Sequence, residues 1–446
     1  LTKTLCFWSK WMRKMLSKSS KTKQQNLFYS PLSDMLDMND PLIALSNAID
    51  WEIFENEFSQ FYSKDGSPAK PIRLMVGLLI LKQLENLSDE SIVIQWKRNP
   101  YYQYFCGYNE MQLCEPCHST QLVKFRQRIG KEGMELIFKV SVQLHGNKAE
   151  EKEVLIDTTV QEKNITYPTD GKLAIKMIHH LHKIGKKEQL NLRRTFVKEI
   201  KEHRINLRFF KHPKKIKKAR SSIKRLRTIV GILIRDISRN LKQDKLSNYT
   251  NTFDLFDKVR NQQIKDSNKV LSLHESHVYA ITKGKDHKKY EYGTKASIVA
   301  TKDSGVIVGV ASHSKNEHDS KTLEAALISA NKTRTTAIKE VICDRGYRGI
   351  KEVLGTIISI PGTTLKKDTE YQKQQKRDKF KRRAAIEPII GHLKSDFRLA
   401  RNYLKGFIGD QINLLLAATA WNLKKWMNIY FFAIISGEMK LLLESI

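Results

Sequence analysis

The sequence of 446 residues predicts a mixed α/β protein, in which an all-α N-terminal region precedes a mixed β-sheet that a helical insertion interrupts. Two patterns predict this class. Apolar residues recur at helical intervals from Pro41 to about Gly130, and after Val154 short strand-like apolar runs alternate with helical segments. A hairpin followed by a helix and another strand is typical of a mixed sheet covered by helices.

The N-terminal helices are predicted from leucine spacing and from capping residues. Leucines recur at three- and four-residue intervals after Pro71, a residue that the first turn of a helix tolerates. Ser88 is the predicted N-cap of the next helix, and Ser119 that of a third helix, which Gly130 ends. The basic faces of these helices fit a DNA-binding domain or an ordinary helical bundle with solvated cations, and the pattern leaves both open.

The strands are predicted from apolar runs, the first of which begins at Val154 and delivers Asp157 at its end. Lys302-Asp-Ser-Gly305 has the composition of a hairpin turn. The other elements predicted around this turn are the strands Tyr292–Thr301, Val306–Ser312, Ala337–Cys343 and Ile357–Ile360 and the helix Asp319–Asn331. Asp319 is predicted to cap the start of this helix.

A helical insertion is predicted at about 172–245, between the first strand and the hairpin. Within it, residues 193–227 carry fifteen Lys and Arg against only two acids, Glu199 and Glu202. A stripe of this kind favours contact with nucleic-acid phosphates, although a solvated helix face is the alternative. The DNA-contact candidates outside the sheet region are Arg126 in the N-terminal helices and Arg193, Lys214, Lys217 and Arg225 in the insertion.

The charge balance predicts a polyanionic partner. Lys and Arg number 79 against 47 Asp and Glu, a net charge of +32, which points to nucleic acid before any other partner. The apolar stretch Leu414–Ile435 contains two lysines, which suits a buried helix better than a membrane span. We expect a cytoplasmic protein without a secretory signal or a membrane segment.

Three acids stand where metal-dependent phosphodiester chemistry would need them: Asp157 and Asp344 at strand ends, and Glu387 in a basic helical segment. Two divalent ions held by carboxylates activate the attacking oxygen and stabilise the leaving oxygen, and Mg²⁺ needs few protein ligands. Each acid alone has a structural explanation, as a turn cap or as a neighbour of arginine. Spacing alone leaves the two explanations open.

The segments around these acids resemble a known family. They are Asp157–Asp170, Lys283–Lys295, Cys343–Gly349 and Arg383–Lys394. The sequence resembles the DDE transposases of bacterial insertion sequences, family five, from roughly Pro41 to Met427. The resemblance implies an RNase H-like catalytic core behind an all-α N-terminal DNA-binding domain.

The resemblance also implies roles for individual residues. Asp157, Asp344 and Glu387 become the catalytic and metal-binding acids, with Mg²⁺ as the cofactor and Mn²⁺ as a substitute. Phe380 stands where the family signature has Tyr, while Arg383 and Lys394 match its Arg and Lys. Pro388 predicts that a helix starts near Glu387 or is kinked there, because its ring would clash with the preceding turn of a straight helix. The DNA contacts expected of the catalytic domain are Arg383, Lys394, Lys295 and Arg348; for Lys295 a solvated strand edge is the alternative.

The implied activity is cleavage and transfer of DNA strands. The expected partners are double-stranded DNA, as the element's inverted repeats and as target DNA, and a second copy of the chain on paired ends. The expected location is the bacterial cytoplasm, on the nucleoid. An RNase H-like nuclease that does not transpose and a decayed DNA-binding product remain alternatives. The predicted divisions are a basic arm (1–40), a helical DNA-binding domain (41–135), a catalytic domain (150–430) with its insertion (about 172–250), and a tail (431–446).

Overall fold

A computed structural model describes residues 30–63, 68–263, 265–285, 288–360, 362 and 367–437. Residues 1–29 of the predicted arm and residues 438–446 of the predicted tail lie outside these ranges. The chain forms two compact units. The first unit combines the residues up to Glu162 with those from Lys295 onward, and the second contains Lys163–Thr294.

The secondary structure follows the predicted order. The helices are α1 (Leu32–Met35), α2 (Pro41–Ala48), α3 (Trp51–Ser59), α4 (Ile72–Leu84), α5 (Asp89–Arg98), α6 (Pro100–Phe105), α7 (Ser119–Gln143), α8 (Asp170–Lys187), α9 (Val197–Asn206), α10 (Ile216–Asn240), α11 (Gln243–Leu246), α12 (Thr250–Asn261), α13 (Leu323–Asn331), α14 (Glu370–Arg383), α15 (Ile386–Ser395) and α16 (Gly406–Ser436). The strands are β1 (Glu153–Glu162), β2 (Tyr279–Lys285), β3 (Lys288–Thr301), β4 (Ile307–His313), β5 (Glu340–Ile342), β6 (Glu352–Val353) and β7 (Thr356–Ser359).

The sheet of the first unit is mixed, as predicted. Its strand order is β3-β1-β5-β7-β6, with β4 paired to β3. β1, β5 and β7 run parallel, whereas β3–β4 and β6–β7 are antiparallel. The predicted hairpin turn is confirmed: Gly305 adopts a φ of +63°, and its N–H donates to the carbonyl of Thr301 over 3.1 Å. The short strands β2 and β6 were not predicted.

The core of the first unit joins the N-terminal helices to the sheet. α4 is buried on nearly every side, because its sequence is apolar all round. α16 packs against α4, α7 and β4, so the predicted buried helix at Leu414–Ile435 is confirmed. It continues through Ser436, past the predicted start of the tail at residue 431, because apolar residues persist to that point and Gly437 then adopts a left-handed φ of +71°. Among the described residues, no helix has the length and apolar character needed to cross a membrane.

Two of the capping predictions have different outcomes. Ser88 caps α5 as predicted, since its hydroxyl accepts the Ser91 N–H over 3.0 Å. Ser119 is not the cap of α7. His118 is the N-cap instead, and its ring accepts the Thr120 N–H. Gly130 interrupts α7 with a φ of +63°, and the chain resumes a helical path to Gln143.

His145 and Asn422 connect α16 to the end of α7. The buried His145 ring donates from Nε2 to the Asn422 carbonyl over 3.0 Å, and the Asn422 side chain binds both polar backbone atoms of Ile307 in β4. Burial lowers the pKa of His145 from 6.5 to about 4. The imidazole is therefore neutral in the folded protein at neutral pH.

We expect this histidine to make the protein acid-sensitive. Below pH 6.5 the His145 ring is protonated in the unfolded chain, whereas in the folded protein it stays neutral down to about pH 4. The unfolded state therefore binds more protons in this range, and the free energy of unfolding decreases as the pH falls from 6.5 to 4. Between pH 7 and 4.5 the wild type should lose about 2–3 kcal/mol more unfolding free energy than His145→Gln, which keeps a donor without a titrating group. Urea unfolding at the two pH values measures the difference, and equal losses would contradict the prediction.

The second unit is largely helical, as predicted for the insertion. α8, α10 and α12 pack through a separate hydrophobic cluster, which includes Leu181, Leu226, Leu233 and Phe256. The predicted continuous stretch at 172–245 is broken after α8 and after α9. α10 is strongly amphipathic: its apolar stripe faces the cluster, and much of its other face is basic.

Candidate active site

Asp157 and Asp344 lie side by side because β1 and β5 are parallel neighbours. Leu155 pairs with Ile342, and each acid lies two residues further along its own strand direction. Asp344 follows the end of β5 as predicted, but the predicted position of Asp157 at a strand end is wrong, because β1 continues to Glu162. Side chains two residues apart point to the same face of a sheet, so the register directs both carboxylates to one side. The Asp344 carboxylate also accepts the Gly346 N–H over 2.8 Å, which fixes the turn that follows.

Glu387 lies in the first turn of α15, a helix that contacts β1. α14 ends at Arg383 and α15 begins at Ile386, so Pro388 falls at the third helical position, where its missing N–H costs no helical hydrogen bond. The predicted helix break before Pro388 is therefore confirmed. α15 contacts β1, which brings Glu387 to the acids of the strands.

The three acids meet around one guanidinium, that of Arg383. Its Nη1 donates to Glu387 Oε1 over 2.9 Å, and its Nη2 lies 3.5 Å from Asp157 Oδ2 and 3.9 Å from Asp344 Oδ2. The Arg383 and Asp157 side chains are only 19% and 17% exposed, whereas that of Glu387 is 59% exposed. The structure thus brings the three sequence-predicted acids together, with a cation between them.

The chemistry of this donor set suits a hard divalent cation. Carboxylate oxygens are the protein ligands that Mg²⁺ prefers, and it needs only one or two of them beside substrate oxygens. Within the described ranges, no three His, Cys, Asp or Glu side chains are spaced to hold a metal ion as they stand. The Arg383 guanidinium lies between the acids, so a metal bound by all three of them would have to displace it.

The negative charge of the site affects the groups beside it. Burial, and then the charges of Asp344 and Asp157, raise the pKa of the Cys343 thiol to about 12. Burial, and then the charges of Asp319 and Asp157, raise the pKa of the buried Tyr347 hydroxyl. Both groups therefore stay protonated at neutral pH, which makes them poor general bases.

A fourth acid, Asp319, belongs to this neighbourhood. The Thr158 hydroxyl donates to Asp319 Oδ1 over 2.9 Å, and the Thr158 N–H donates to Asp157 Oδ1 over 2.7 Å. Thr158 thus connects Asp319 to the first site acid. A Cβ added at Gly346 would lie 3.0 Å from an Asp344 oxygen and 3.1 Å from an Asp319 oxygen, so the glycine leaves room for both carboxylates.

The prediction that Asp319 caps a helix is wrong. The ring of His318 accepts the Ser320 N–H and caps the 3-10 turn Asp319–Thr322, after which α13 begins at Leu323. No local pattern could have identified the true partner of Asp319, since Thr158 is 161 residues away in the chain. The buried Lys295, predicted to contact phosphate, binds Asp319 Oδ1 over 2.9 Å and the Glu317 carbonyl over 2.6 Å. Its ammonium is therefore directed at Asp319.

The other predicted DNA contacts occupy different surroundings. Arg126 is buried and pairs with Asp89, which also binds Lys82 over 2.8 Å. Its guanidinium is held inside the N-terminal helices, which corrects the prediction that it contacts DNA. Arg348 is exposed after the Asp344 turn, and Lys394 is half-buried on α15. In the second unit, Arg193, Lys214 and Lys217 are exposed, while Arg225 pairs with Glu199.

Comparison with known proteins relates these features to a family. Residues 30–128 match the family described as a transposase domain (DUF772), and residues 266–423 match the transposase DDE domain. The second match contains Asp344 and Glu387, whereas Asp157 lies in neither. The chain is 36% identical over 194 residues to the uncharacterized protein ORF8 in the nfe locus of Rhizobium meliloti, a match that covers 42% of this chain and 94% of that protein. No solved structure matches the chain.

The matched domains agree with the fold. A DDE domain implies an RNase H-like core, which confirms the predicted class of a mixed sheet preceded by helices. It also implies an enzyme that cuts DNA and a family that generally uses a divalent metal. The chain belongs to the DDE transposases of insertion sequences.

Proposed function

We propose that this transposase binds the terminal inverted repeats of its own element, hydrolyses a DNA strand at each end and transfers the freed 3′-hydroxyl to target DNA. Mg²⁺ is the proposed cofactor, with Mn²⁺ as a substitute. One observation carries the proposal: the acids Asp157, Asp344 and Glu387 converge on a single cation, the Arg383 guanidinium, beside the parallel strands β1 and β5. Hydrolysis and transfer are the same in-line displacement with different nucleophiles, so one site serves both.

The three acids are the proposed metal-binding and catalytic residues. Bound divalent ions supply activation of the attacking oxygen and stabilisation of the leaving oxygen. Arg383 pairs with carboxylates in the free protein and is suited to a DNA phosphate, which a guanidinium binds in the same two-point manner. Lys394, seven residues after Glu387 on α15, and the exposed Arg348 are the other proposed phosphate contacts at the site.

The organisation of the protein on DNA is part of the same proposal. Residues 41–135 act in DNA binding, residues 150–430 in catalysis, and the insertion at about 172–250 in further DNA contact. The protein acts as a homodimer that holds two element ends, in the bacterial cytoplasm and on the nucleoid. The net charge of +32 supports binding to a polyanion of this size.

A labelled duplex that carries the element end and flanking DNA tests the proposed function. With Mg²⁺ and the full chain, we expect a cut at the element terminus that leaves a 3′-hydroxyl, followed by joining of that end to an unlabelled target plasmid. Cutting without joining, in Mg²⁺ and in Mn²⁺, would favour the nuclease. Binding without cutting would favour a decayed product.

Thr158 is the proposed positioning residue of Asp157, through its contacts with Asp319. Thr158→Val keeps the shape of the side chain and the backbone N–H that donates to Asp157, but it removes the hydroxyl that donates a hydrogen bond to Asp319. We expect cleavage to fall about 10–100-fold and the Mg²⁺ concentration for half-maximal cleavage to rise. Thr158→Ser, which retains the hydroxyl, should stay close to wild type.

A double variant separates positioning from simple loss of structure. If Thr158 acts through Asp319, Thr158→Val combined with Asp319→Asn should cut no more slowly than the worse single variant. Additive losses, or a slower rate with an unchanged Mg²⁺ midpoint, would contradict the positioning role. Gel-shift affinity for the element end should be the same in the wild type, the two single variants Thr158→Val and Asp319→Asn, and the double variant.

A further inference from the structure

One face of α10 in the second unit carries a row of cations. Arg220, Lys224, Arg227 and Arg235 follow one another at intervals that keep them on the same side of the helix, with Gly231 between the last two. Arg260 joins them from α12. Together they line a surface pocket of about 600 Å³. We call these residues the α10 basic surface: Arg220, Lys224, Arg227, Arg235 and Arg260.

Gly231 allows this arrangement. A Cβ at position 231 would overlap Nη1 of Arg260, so a larger residue would force that guanidinium away from α10. The glycine is buried within a helix, where it lowers helix stability relative to alanine. The sequence thus accepts a weaker helix at the point where the fifth cation comes closest to the row.

The charges of this surface are only partly neutralised. Arg227 donates to Asp170 over 2.8 Å, and Arg260 pairs with Asp257 over 2.9 Å. Among the described residues, Arg220, Lys224 and Arg235 have no acidic partner, and all three are exposed. Like charges one helical turn apart repel each other, so an anion that bridged them would relieve the repulsion.

The geometry points to double-stranded DNA as the partner, and we propose that the α10 basic surface binds its phosphate backbone. This inference rests on the proposed function, in which DNA is the substrate. Four of the five cations are arginines, whose planar guanidinium suits phosphate oxygens. The described lining contains no aromatic side chain on which an unpaired base could stack, which favours duplex backbone over single strands.

This surface differs from the contacts predicted for the insertion from sequence. Lys214 lies just before α10 and Lys217 lies in its first turn, and neither lines the pocket. Arg225 pairs with Glu199. Phosphate contacts fix position but do not read bases. We therefore expect the surface to strengthen binding to the element end and to unrelated duplexes by the same factor.

The salt dependence of DNA binding by the full chain tests the proposal. The variant Arg220→Gln/Lys224→Gln/Arg235→Gln removes the three exposed cations of the surface. Its matched control, Lys183→Gln/Lys186→Gln/Lys242→Gln, removes three exposed cations of the same unit that lie outside the pocket and were not predicted to contact DNA. Dissociation constants are measured at several salt concentrations, with a duplex carrying the element end and with a scrambled duplex.

For the surface variant, we expect the slope of log K against log salt to fall in magnitude by about 2–3 on both duplexes, because each phosphate contact contributes about 0.9. The control should change it by less than about 1. The conservative variant Arg220→Lys/Arg235→Lys should keep the wild-type slope. An unchanged slope in the surface variant, or an equal loss in the control, would overturn the proposal.

Cleavage by the same preparations distinguishes this inference from the proposed function. A wild type that binds with the expected slopes but never cuts the element end would leave the surface standing and remove the proposed function. If the wild type cuts and joins DNA but all variants have the same salt slope, the proposed function stands and the proposed role of the α10 basic surface is removed. Equal urea midpoints for the variants exclude misfolding as the cause of a slope change.

Discussion

Replacing Asp344 by asparagine is expected to abolish strand cleavage, with a loss of about a thousand-fold or more. Such a loss corresponds to about 4 kcal/mol of transition-state stabilisation, which is the scale of metal-ion catalysis. Asparagine keeps the oxygen that accepts the Gly346 N–H, so the turn after β5 is retained while the carboxylate charge is lost. The rate of cutting of a labelled element end measures the effect.

DNA binding provides the internal control for this variant. Gel-shift affinity for the same duplex should stay within about threefold of wild type, since phosphate contacts are made by cations rather than by Asp344. Asp303→Asn is the matched substitution, because Asp303 is an exposed aspartate in the turn between β3 and β4. It should cut normally. Metal-dependent cutting by Asp344→Asn at the wild-type rate would remove Asp344 from the site.

Replacing Arg383 by glutamine is expected to destabilise the metal-free protein and to make its stability metal-dependent. Without the guanidinium, the three carboxylates lose the cation they share, a loss of about 2 kcal/mol for a partly buried cluster. Millimolar Mg²⁺ should restore stability in the variant more than in wild type, because the ion then meets no competing cation. Urea unfolding in chelator and in Mg²⁺ measures both effects.

Arg382 is the matched control for Arg383. It is the preceding residue on α14, its side chain is 55% exposed, and it lies 3.4 Å from the exposed Asp303. Arg382→Gln should change the unfolding free energy by less than about 0.5 kcal/mol, with or without Mg²⁺. If Arg383→Gln behaves in the same way, the guanidinium does not hold the acids together.

The parts of the fold that could be predicted are those that depend on local sequence patterns, such as apolar runs and turn residues. The β3–β4 hairpin has two apolar strands joined by a turn with Gly305, and β1 begins with a compact apolar run, so both were visible in the sequence. β2 and β6 were missed because one is largely polar and the other has two residues. The breaks around α9 were missed because basic residues continue through helix and loop alike.

The candidate site was predictable only in part. Asp157 and Asp344 stood out as acids that directly follow short apolar runs, but their adjacency depends on the pairing of β1 with β5, which no local pattern encodes. The run before Asp157 did not reveal that β1 continues to Glu162. The partners of Asp319 and of Arg126 are set by tertiary packing, so a cap and a surface cation were predicted where the structure has a carboxylate beside the site and a buried ion pair. The Pro388 helix start was predictable because proline excludes a continuous helix.

The position of α16 has a consequence for synthesis of the protein. This last described helix fills the space between α4, α7 and β4, and its Asn422 reaches His145, 277 residues earlier in the chain. The N-terminal helices therefore leave the ribosome with a large apolar surface that only the final part of the chain covers. A copy of the element with an early stop codon, even one beyond Glu387, would yield a product with all three acids but an open core. Such products should be cleared by proteases rather than compete with the intact enzyme for the element ends.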